Sequence, residues 1–239
     1  MNKKNTLLIG VDEAGRGAVI GPLSITSVVM TQEQEEYLKE VIKYDSKRYK
    51  RRARERLLEE IISNHKIISY YNILIQPSTI NDLMGRGISL NIIEISHMVE
   101  AIEKCLEKIS MEEEHLKIYI DSMYNDPLRC KFNIIYKLQE RLNKKWKFNV
   151  ICEHKADEKY IPVRVASIIS KVLRDKEIEE LHKIYGDFGS GYPSDPKTKS
   201  FLNKLAMRLD NNKIYSIVRI YWKTWKNMVN KDVEEDKFL

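Results

Sequence analysis

Two apolar runs in this sequence end directly in acidic residues, and this pattern constrains the fold more than any other feature. Residues 7–11 lead into Asp12 and Glu13, and residues 118–120 lead into Asp121. Short apolar runs of this kind are typical of buried strands, and neighbouring strands lie only about 4.8 Å apart. Acids at the ends of two such strands can therefore share a cation. The sequence predicts a sheet whose strand ends form a Mg²⁺ or Mn²⁺ site, which suits phosphoryl-transfer chemistry.

A further acid, Asp157, follows another short apolar run and extends the candidate site. With Glu13 adjoining Asp12, four carboxylates can converge on one or two ions. The alternative is structural, because an acid after a strand is often a turn former or a helix cap. Two adjacent acids that close an apolar strand are costly without a counter-ion. Spacing alone leaves both interpretations open.

A glycine-rich turn stands next to the first acids in the sequence. Gly15, Arg16 and Gly17 follow Ala14, and glycine lets the backbone approach a ligand closely. The stretch lacks the lysine of a phosphate-binding P-loop, and no helical pattern follows it as in a dinucleotide-binding fold. By itself the turn fits a tight hairpin as well as a ligand contact. Beside acids that can hold a metal, it suits a nuclease.

The periodicity of the apolar residues predicts an α/β chain. We expect three early strands, then strands that alternate with helices around a mixed sheet, and a helical C-terminal portion. Asp45 and Ser46 are expected to cap the second helix. The predicted strands are 6–12, 23–30, 67–75, 116–121 and 147–152, and the predicted helices are 32–43, 48–63, 90–109, 131–144, 163–185, 197–208 and 212–230, with a short helix from Pro77 and an acidic linker at 111–115.

Length and composition limit the class of protein. With 239 residues, 43% of them apolar, the chain can bury a full core without disulfides. We expect one large domain at 1–186, a helical portion packed on it at 187–230 and an acidic tail at 231–239. The three cysteines form no paired motif, and no run approaches the roughly 18 apolar residues of a membrane span. The expected protein is soluble and cytoplasmic, or nuclear in a eukaryotic host.

The charge of the chain favours a polyanionic partner. The formal net charge is +6, and the densest basic cluster lies at residues 47–56. A solvated helix face explains such a cluster as well as phosphate binding does. These two alternatives predict different salt dependence, because only phosphate contacts release counter-ions.

Six ordered blocks of the sequence resemble ribonuclease HII, the type 2 ribonuclease H. The resemblance covers the chain nearly end to end. The later blocks are similar to those of archaeal members and of the eukaryotic catalytic subunit. The blocks are residues 10–17 with 20–22, 45–47, 119–122, 153–157 with 166–169 and Lys171, 189–196, and 218–219 with 222–224.

The resemblance implies a ribonuclease H-like fold and hydrolysis of the RNA strand of RNA–DNA hybrids. It also implies incision on the 5′ side of ribonucleotides embedded in duplex DNA, by two-metal-ion catalysis with Mg²⁺ or Mn²⁺, leaving 5′-phosphate and 3′-hydroxyl ends. The implied catalytic and metal-binding residues are Asp12, Glu13, Asp121 and Asp157, and the implied substrate-binding residues are Gly15, Arg16, Gly17, Tyr192, Lys47, Ser167 and Lys171.

The resemblance also implies how the substrate is read. The Gly-Arg-Gly turn would recognise the 2′-hydroxyl, which distinguishes RNA from DNA. Tyr192 would pack on the next sugar and so help to read the RNA–DNA junction. Lys47 would lie near the phosphates. The sequence departs from the family at Ala18, where proline is common, but it keeps all four acids.

Partners and alternatives complete the expectations. Many archaeal relatives end in a clamp-binding peptide with glutamine and paired aromatics, whereas residues 236–239 lack both. We therefore expect a monomer that binds RNA–DNA hybrid and ribonucleotide-containing duplex, without membrane contact and without sliding-clamp binding. The alternatives are a non-catalytic hybrid-binding module and a catalytic subunit that needs partners.

Overall fold

A computed structural model describes residues 6–63, 66–109, 115–142, 146–207 and 211–235. The predicted acidic linker, apart from His115, lies outside the described residues, as does the end of the predicted tail at 236–239. Within the described residues, no helix is both long enough and apolar enough to cross a bilayer.

Five strands form one mixed sheet, and their bounds are Thr6–Ala14 (β1), Leu23–Met30 (β2), Ser69–Ile75 (β3), His115–Asp121 (β4) and Lys147–Glu153 (β5). Their order in the sheet is β3-β2-β1-β4-β5. β1 pairs antiparallel with β2 and parallel with β4, and β4 pairs parallel with β5. The predicted mixed sheet is therefore confirmed.

The strand register explains why two predicted acids come together. Val11 lies opposite Ile120 in the parallel pair of β1 and β4. Asp12 and Asp121, the next residue on each strand, therefore lie at the same end of the pairing between β1 and β4. This placement follows from parallel pairing, because both strands carry their carboxyl ends to one edge.

Helices flank the sheet, and most of them agree with the predicted segments. Their bounds are Gln32–Val41 (α1), Arg51–Ser63 (α2), Pro77–Gly85 (α3), Leu90–Leu106 (α4), Pro127–Arg141 (α5), Ala156–Lys159 (α6), Ile161–Tyr185 (α7), Pro196–Met207 (α8), Asn211–Ile217 (α9) and Lys223–Glu235 (α10).

Capping residues account for two shifted boundaries. Asp45 caps a 3₁₀ turn at Ser46–Arg48 by accepting from the Lys47 amide, so α2 starts only at Arg51 rather than at 48. α5 starts four residues earlier than predicted, because Asp126 accepts from the Leu128 amide and a proline occupies the first turn.

The predicted helix at 212–230 is wrong as a single element. The chain leaves the helix after Ile217, where Val218 forms a β-bridge with Ile20. Asn81 fixes the break, since its side-chain amide donates to the Val218 carbonyl at 2.8 Å and its oxygen accepts from the Ile220 amide at 3.0 Å. A tertiary hydrogen-bond partner thus overrides the helical periodicity of the segment.

The chain groups into two compact units, each assembled from separate stretches. The first unit comprises Met1–Ala14, Ser24–Ile73 and Glu94–Val172. The second comprises Gly15–Leu23, Leu74–Ile93 and Leu173–Leu239. The predicted division at residues 186 and 187 stays a prediction.

Each unit has its own buried core. In the first, Ile9, Val11, Ile118 and Ile169 are fully buried along the strands and α7. In the second, a cluster surrounds Phe188 and includes Val19, Ile20, Ile178, Leu202, Leu205, Ile214, Ile217, Val218 and Trp225.

Candidate active site

Three aspartates of the first unit meet at one end of the sheet. One carboxylate oxygen from each of Asp12, Asp121 and Asp157 lies within 4.8 Å of the others. Asp12 ends the apolar core of β1, Asp121 ends β4, and Asp157 lies in the short helix α6 after β5. The structure therefore brings together three of the four acids that the sequence predicts.

Backbone amides orient two of these carboxylates. Asp12 Oδ1 accepts from the Glu13 amide at 2.8 Å, and Asp121 Oδ1 accepts from the Ala156 amide at 3.2 Å. Asp157 Oδ1 is buried and has no hydrogen-bond partner among the residues that the structure describes. An ionised oxygen that is buried without a partner is costly, and a cation at the cluster would remove that cost.

Burial and neighbouring carboxylates raise the pKa of Asp12 and of Asp121. Burial raises the pKa of Asp12 well above its usual range; Glu13 and Asp121 raise it further, while Lys171 and a hydrogen bond from Ser167 lower it. Burial also raises the pKa of Asp121, against the opposing hydrogen bond from the Ala156 amide. The donor set therefore fits a divalent cation, because oxygen ligands with excess negative charge are what Mg²⁺ and Mn²⁺ prefer.

Lys47 lies beside the acids, and most of its side chain is exposed. Its Nζ is 3.6 Å from Asp157 Oδ2, and 65% of its side chain is accessible. Partial burial lowers the pKa of Lys47, but Asp157, Asp12 and Asp121 outweigh it and raise the pKa above its usual value. Lys47 therefore stays charged in a position that can meet an anionic substrate.

Ser167 and Lys171 of α7 form a hydrogen-bonded group with Ser46. Lys171 Nζ donates to Ser46 Oγ at 2.6 Å and to Ser167 Oγ at 2.5 Å, and the two hydroxyls are 2.8 Å apart. Ser46 and Ser167 are fully buried. Since Ser167 also hydrogen-bonds Asp12, the group supports the carboxylate from inside the protein. The predicted contact of Ser167 and Lys171 with substrate stays a prediction.

Glu13 contributes no oxygen to the cluster that Asp12, Asp121 and Asp157 form. It follows Asp12 within β1, and successive side chains on a strand point to opposite faces. Its proximity still raises the pKa of Asp12. The role of Glu13 as a metal ligand stays a prediction.

The Gly-Arg-Gly turn belongs to the second unit. The Ala18 amide closes it by donating to the Gly15 carbonyl at 3.1 Å, and Gly15 has a φ of 88°. A Cβ at Gly15 would lie 2.2 Å from Arg174 Nε, so only glycine fits there. Gly17 is exposed, and Arg16 Nη2 donates to Asn91 Oδ1 at 2.6 Å.

Tyr192 lies next to the turn within the same unit. A Cβ at Gly17 would come within 3.8 Å of its ring. The guanidinium carbon of Arg174 lies 4.9 Å from the ring centroid. The structure thus places the predicted Tyr192 and the predicted turn side by side, although 175 residues of sequence separate Gly17 from Tyr192.

Sequence reasoning did not assign Asn91, Arg174 or Arg219 to the site. Arg219 Nη1 donates to the Arg16 carbonyl at 3.1 Å, and Arg219 is fully buried. A lone arginine in a helical pattern usually indicates a surface residue. The only sequence signal at Arg219 was that residues 218–219 match a block of the family. The spacing of the sequence did not indicate which residues Arg219 contacts.

Comparison with known proteins places these features in a family. The chain matches the family model of ribonuclease HII over residues 9–225. A ribonuclease HII of Methanocaldococcus jannaschii is 39% identical over 234 residues, covering 94% of this chain and 96% of that protein.

Two solved structures are similar along almost their whole length. The ribonuclease H2 of Pyrococcus horikoshii superposes with a TM-score of 0.79 at 39% identity, covering 94% of this chain and 98% of that one. A ribonuclease HII of Archaeoglobus fulgidus, solved in complex with PCNA, gives 0.76 at 36% identity, covering 92% and 96%. These similarities confirm the predicted ribonuclease H-like fold. The prediction against clamp binding depends on residues 236–239, which lie outside the described residues, and it stays a prediction.

Proposed function

This chain belongs to the ribonuclease HII family and is a metal-dependent endoribonuclease; we propose that it hydrolyses the RNA strand of RNA–DNA hybrids and incises duplex DNA on the 5′ side of an embedded ribonucleotide. The observation that carries this proposal is the convergence of three aspartate oxygens within 4.8 Å at the carboxyl ends of the strands. A protein that only bound hybrids would gain nothing from clustered negative charge beside phosphates.

Asp12, Asp121 and Asp157 would hold Mg²⁺ or Mn²⁺, as one or two ions, with Glu13 as a further ligand. When bound, such an ion supplies a water nucleophile at neutral pH and stabilises the negative charge that develops on the leaving oxygen. The unpartnered Oδ1 of Asp157 and the raised pKa of Asp12 support this assignment, because both indicate carboxylates without enough positive charge around them.

Two lysines take different parts in the proposed reaction. Lys47, exposed and held charged by the acids, would contact a phosphate of the bound strand. Lys171, tied to Ser46 and Ser167, would fix the orientation of Asp12. The two side chains therefore bind substrate and position a ligand, respectively.

Recognition of the ribonucleotide would fall to the second unit. The exposed Gly17 lets the backbone approach a sugar without a side chain in the way, so that the turn can hydrogen-bond a 2′-hydroxyl. Tyr192 would pack on the neighbouring deoxyribose. The placement of this ring against the turn supports a common role in reading the junction.

The test is incision of a labelled DNA duplex that contains one ribonucleotide, with Mg²⁺, Mn²⁺ or EDTA. We expect metal-dependent cleavage on the 5′ side of the ribonucleotide, with a 3′-hydroxyl on one product and a 5′-phosphate on the other. Asp121→Asn should lower kcat by roughly 10²–10³-fold or more while binding persists; Glu40→Gln, a change at an exposed acid in α1, should leave it unchanged.

Each other outcome identifies an alternative. Binding of the hybrid without cleavage under any metal condition would favour the non-catalytic module. Cleavage that appears only after partner proteins are added would favour a subunit of a larger complex. Normal cleavage by Asp121→Asn would refute the metal assignment.

A further inference from the structure

Two arginines are buried beneath the turn and the tyrosine of the second unit. Arg174 is 4% exposed and Arg219 is fully buried. Burying a guanidinium costs free energy unless its donors find acceptors. Where those donors point therefore indicates what the two residues hold in place.

Arg219 is bound to backbone carbonyls within the Gly-Arg-Gly turn and in the segment that follows it. Its Nη1 donates to the Arg16 carbonyl at 3.1 Å, and its Nε donates to the Gly21 carbonyl at 3.1 Å. Its own amide donates to the Val19 carbonyl at 2.9 Å. The guanidinium carbon lies 5.0 Å from the ring of Trp222. One residue thus fixes three carbonyls between positions 16 and 21.

Arg174 is bound between the turn and the loop that carries Tyr192. Its Nη2 donates to the Ser190 carbonyl at 3.2 Å, and its guanidinium carbon lies 4.9 Å from the Tyr192 ring centroid. Its Nε occupies the space that a side chain at Gly15 would need. Arg174 therefore packs against the Tyr192 ring and against Gly15, the first glycine of the turn.

Backbone hydrogen bonds join the same two segments. The amides of Val19 and Ile20 donate to the Gly191 carbonyl at 2.8 and 3.1 Å. A Cβ at Gly191 would lie 2.6 Å from the Ile20 carbonyl oxygen, so these segments are in direct backbone contact. The turn, the loop and the two arginines therefore form one packed assembly.

We propose that Arg174 and Arg219 are positioning residues that set the selectivity for the ribonucleotide, Arg219 by holding the Gly-Arg-Gly turn and Arg174 by holding the Tyr192 ring. The proposal rests on the proposed function, since it assigns the reading of the substrate to the turn and the ring. Neither arginine need touch substrate. A guanidinium suits this task because its planar set of donors can bind several carbonyls in a fixed geometry.

Substitution of each arginine by lysine should change a different measured ratio, a ratio of dissociation constants for Arg219→Lys and a ratio of kcat/KM values for Arg174→Lys. Arg219→Lys keeps the charge but loses the forked donors, so discrimination between a ribonucleotide and a deoxyribonucleotide should fall about 10- to 100-fold, as expected for a small misplacement of a recognition group. The measurement is the ratio of dissociation constants for the two duplexes in an Asp121→Asn background. Arg174→Lys should instead lower kcat/KM on the single-ribonucleotide duplex relative to a uniform RNA–DNA hybrid, about 10-fold.

Leu205→Ala is the matched control, because it truncates a core side chain of the same unit and lowers stability while both arginines are kept. It should lower Tm and leave both ratios within twofold. If the lysine variants keep both ratios, or if Leu205→Ala changes them equally at the same loss of Tm, the positioning role is refuted.

Hydrogen exchange of the wild-type protein tests the proposal without any variant that fails to fold. If the surface is pre-formed, the Ala18, Val19 and Ile20 amides should be protected in the free protein, since each donates to a carbonyl of the assembly. Exchange at the rate of an unstructured chain would overturn the proposal. Failure of the wild type to incise the ribonucleotide duplex would instead refute the proposed function.

Discussion

Asp12 is ionised at neutral pH only at a cost in folding free energy. Its pKa is raised by burial and by Glu13 and Asp121, so the folded state binds a proton more tightly than the unfolded state does. The contribution of this group to stability is therefore present at low pH and is lost as pH rises through the raised pKa. A bound cation offsets the loss.

Asp12→Asn should accordingly be more stable than the wild type in EDTA. The difference in Tm should grow as pH rises through the raised pKa of Asp12, because only the wild type then carries the buried charge. Mn²⁺ should raise the Tm of the wild type and have little effect on the variant. The measurement is the Tm of the wild type and of the variant from pH 4 to 9, each in EDTA and in Mn²⁺. A wild type with a higher Tm than the variant in EDTA at high pH would contradict the assignment of Asp12 as a metal ligand.

The two glycines of the turn should respond differently to alanine. Gly15 has a φ of 88° and no room for a Cβ beside Arg174, whereas a Cβ at Gly17 meets only an ordinary contact with Tyr192 at 3.8 Å. Gly15→Ala should lose about 1–3 kcal/mol of stability. Gly17→Ala should keep its Tm and lose affinity for the ribonucleotide duplex. Urea unfolding and binding assays separate the two, and a large loss of stability in Gly17→Ala would refute this reading of the turn.

At the scale of elements, the contact between β1 and α7 depends on one missing side chain. A Cβ at Gly10 would lie 2.0 Å from the backbone carbon of Pro162 and 2.3 Å from the amide nitrogen of Val163. Backbone atoms cannot move aside as a flexible side chain can. The start of α7, which also carries Ser167 and Lys171, is therefore set against the strand that carries Asp12.

Gly10→Ala should disturb this packing and the metal site together. We expect a loss of stability above the ~1–3 kcal/mol typical of overpacking, because the clash is with backbone. Mn²⁺ affinity should fall with it, since Ser167 and Lys171 would no longer meet Asp12. Tm and calorimetric titration of Mn²⁺ measure the two effects; a variant with unchanged Tm would show that β1 and α7 have more freedom than this contact allows.

Most helices and strands could be predicted, because the spacing of apolar residues within each segment indicates whether it forms a helix or a strand. β1, β4 and α7 follow this rule, and parallel pairing then brings Asp12 and Asp121 together. The break after Ile217 could not be predicted, because it depends on Asn81, which is 137 residues from Val218 in sequence. The contacts of Arg174 and Arg219 could not be predicted for the same reason. The carbonyl oxygens that a buried arginine binds are distant in sequence, and they leave no periodic pattern around the arginine itself.

At the scale of the whole molecule, the number of basic side chains that contact phosphates should determine how affinity depends on salt. Each phosphate contact contributes a slope of about −0.9 to log K against log salt for duplex DNA. Arg52 and Arg56 are exposed on α2 within the basic cluster. If this cluster contacts the duplex backbone, the double variant Arg52→Gln with Arg56→Gln should reduce the slope by about two.

Lys176→Gln, at an exposed position of α7, is the comparison for this measurement. Fluorescence anisotropy between 50 and 300 mM NaCl would give the three slopes. Equal slopes for the wild type and the α2 double variant would mean that the cluster is a solvated helix face, the alternative that the sequence left open.

The bond between Arg219 and Arg16 spans 203 residues, and this separation affects the order in which the protein matures on the ribosome. At about 5–20 residues per second, roughly 10–40 seconds pass between synthesis of the turn and synthesis of the arginine that holds it. A nascent chain already contains Asp12, Asp121 and Asp157 during the later part of that interval, yet it lacks Arg219. The turn can therefore take its final form only after residue 219 has left the ribosome, and under the proposed function the selectivity for the ribonucleotide would be the last property that the protein acquires.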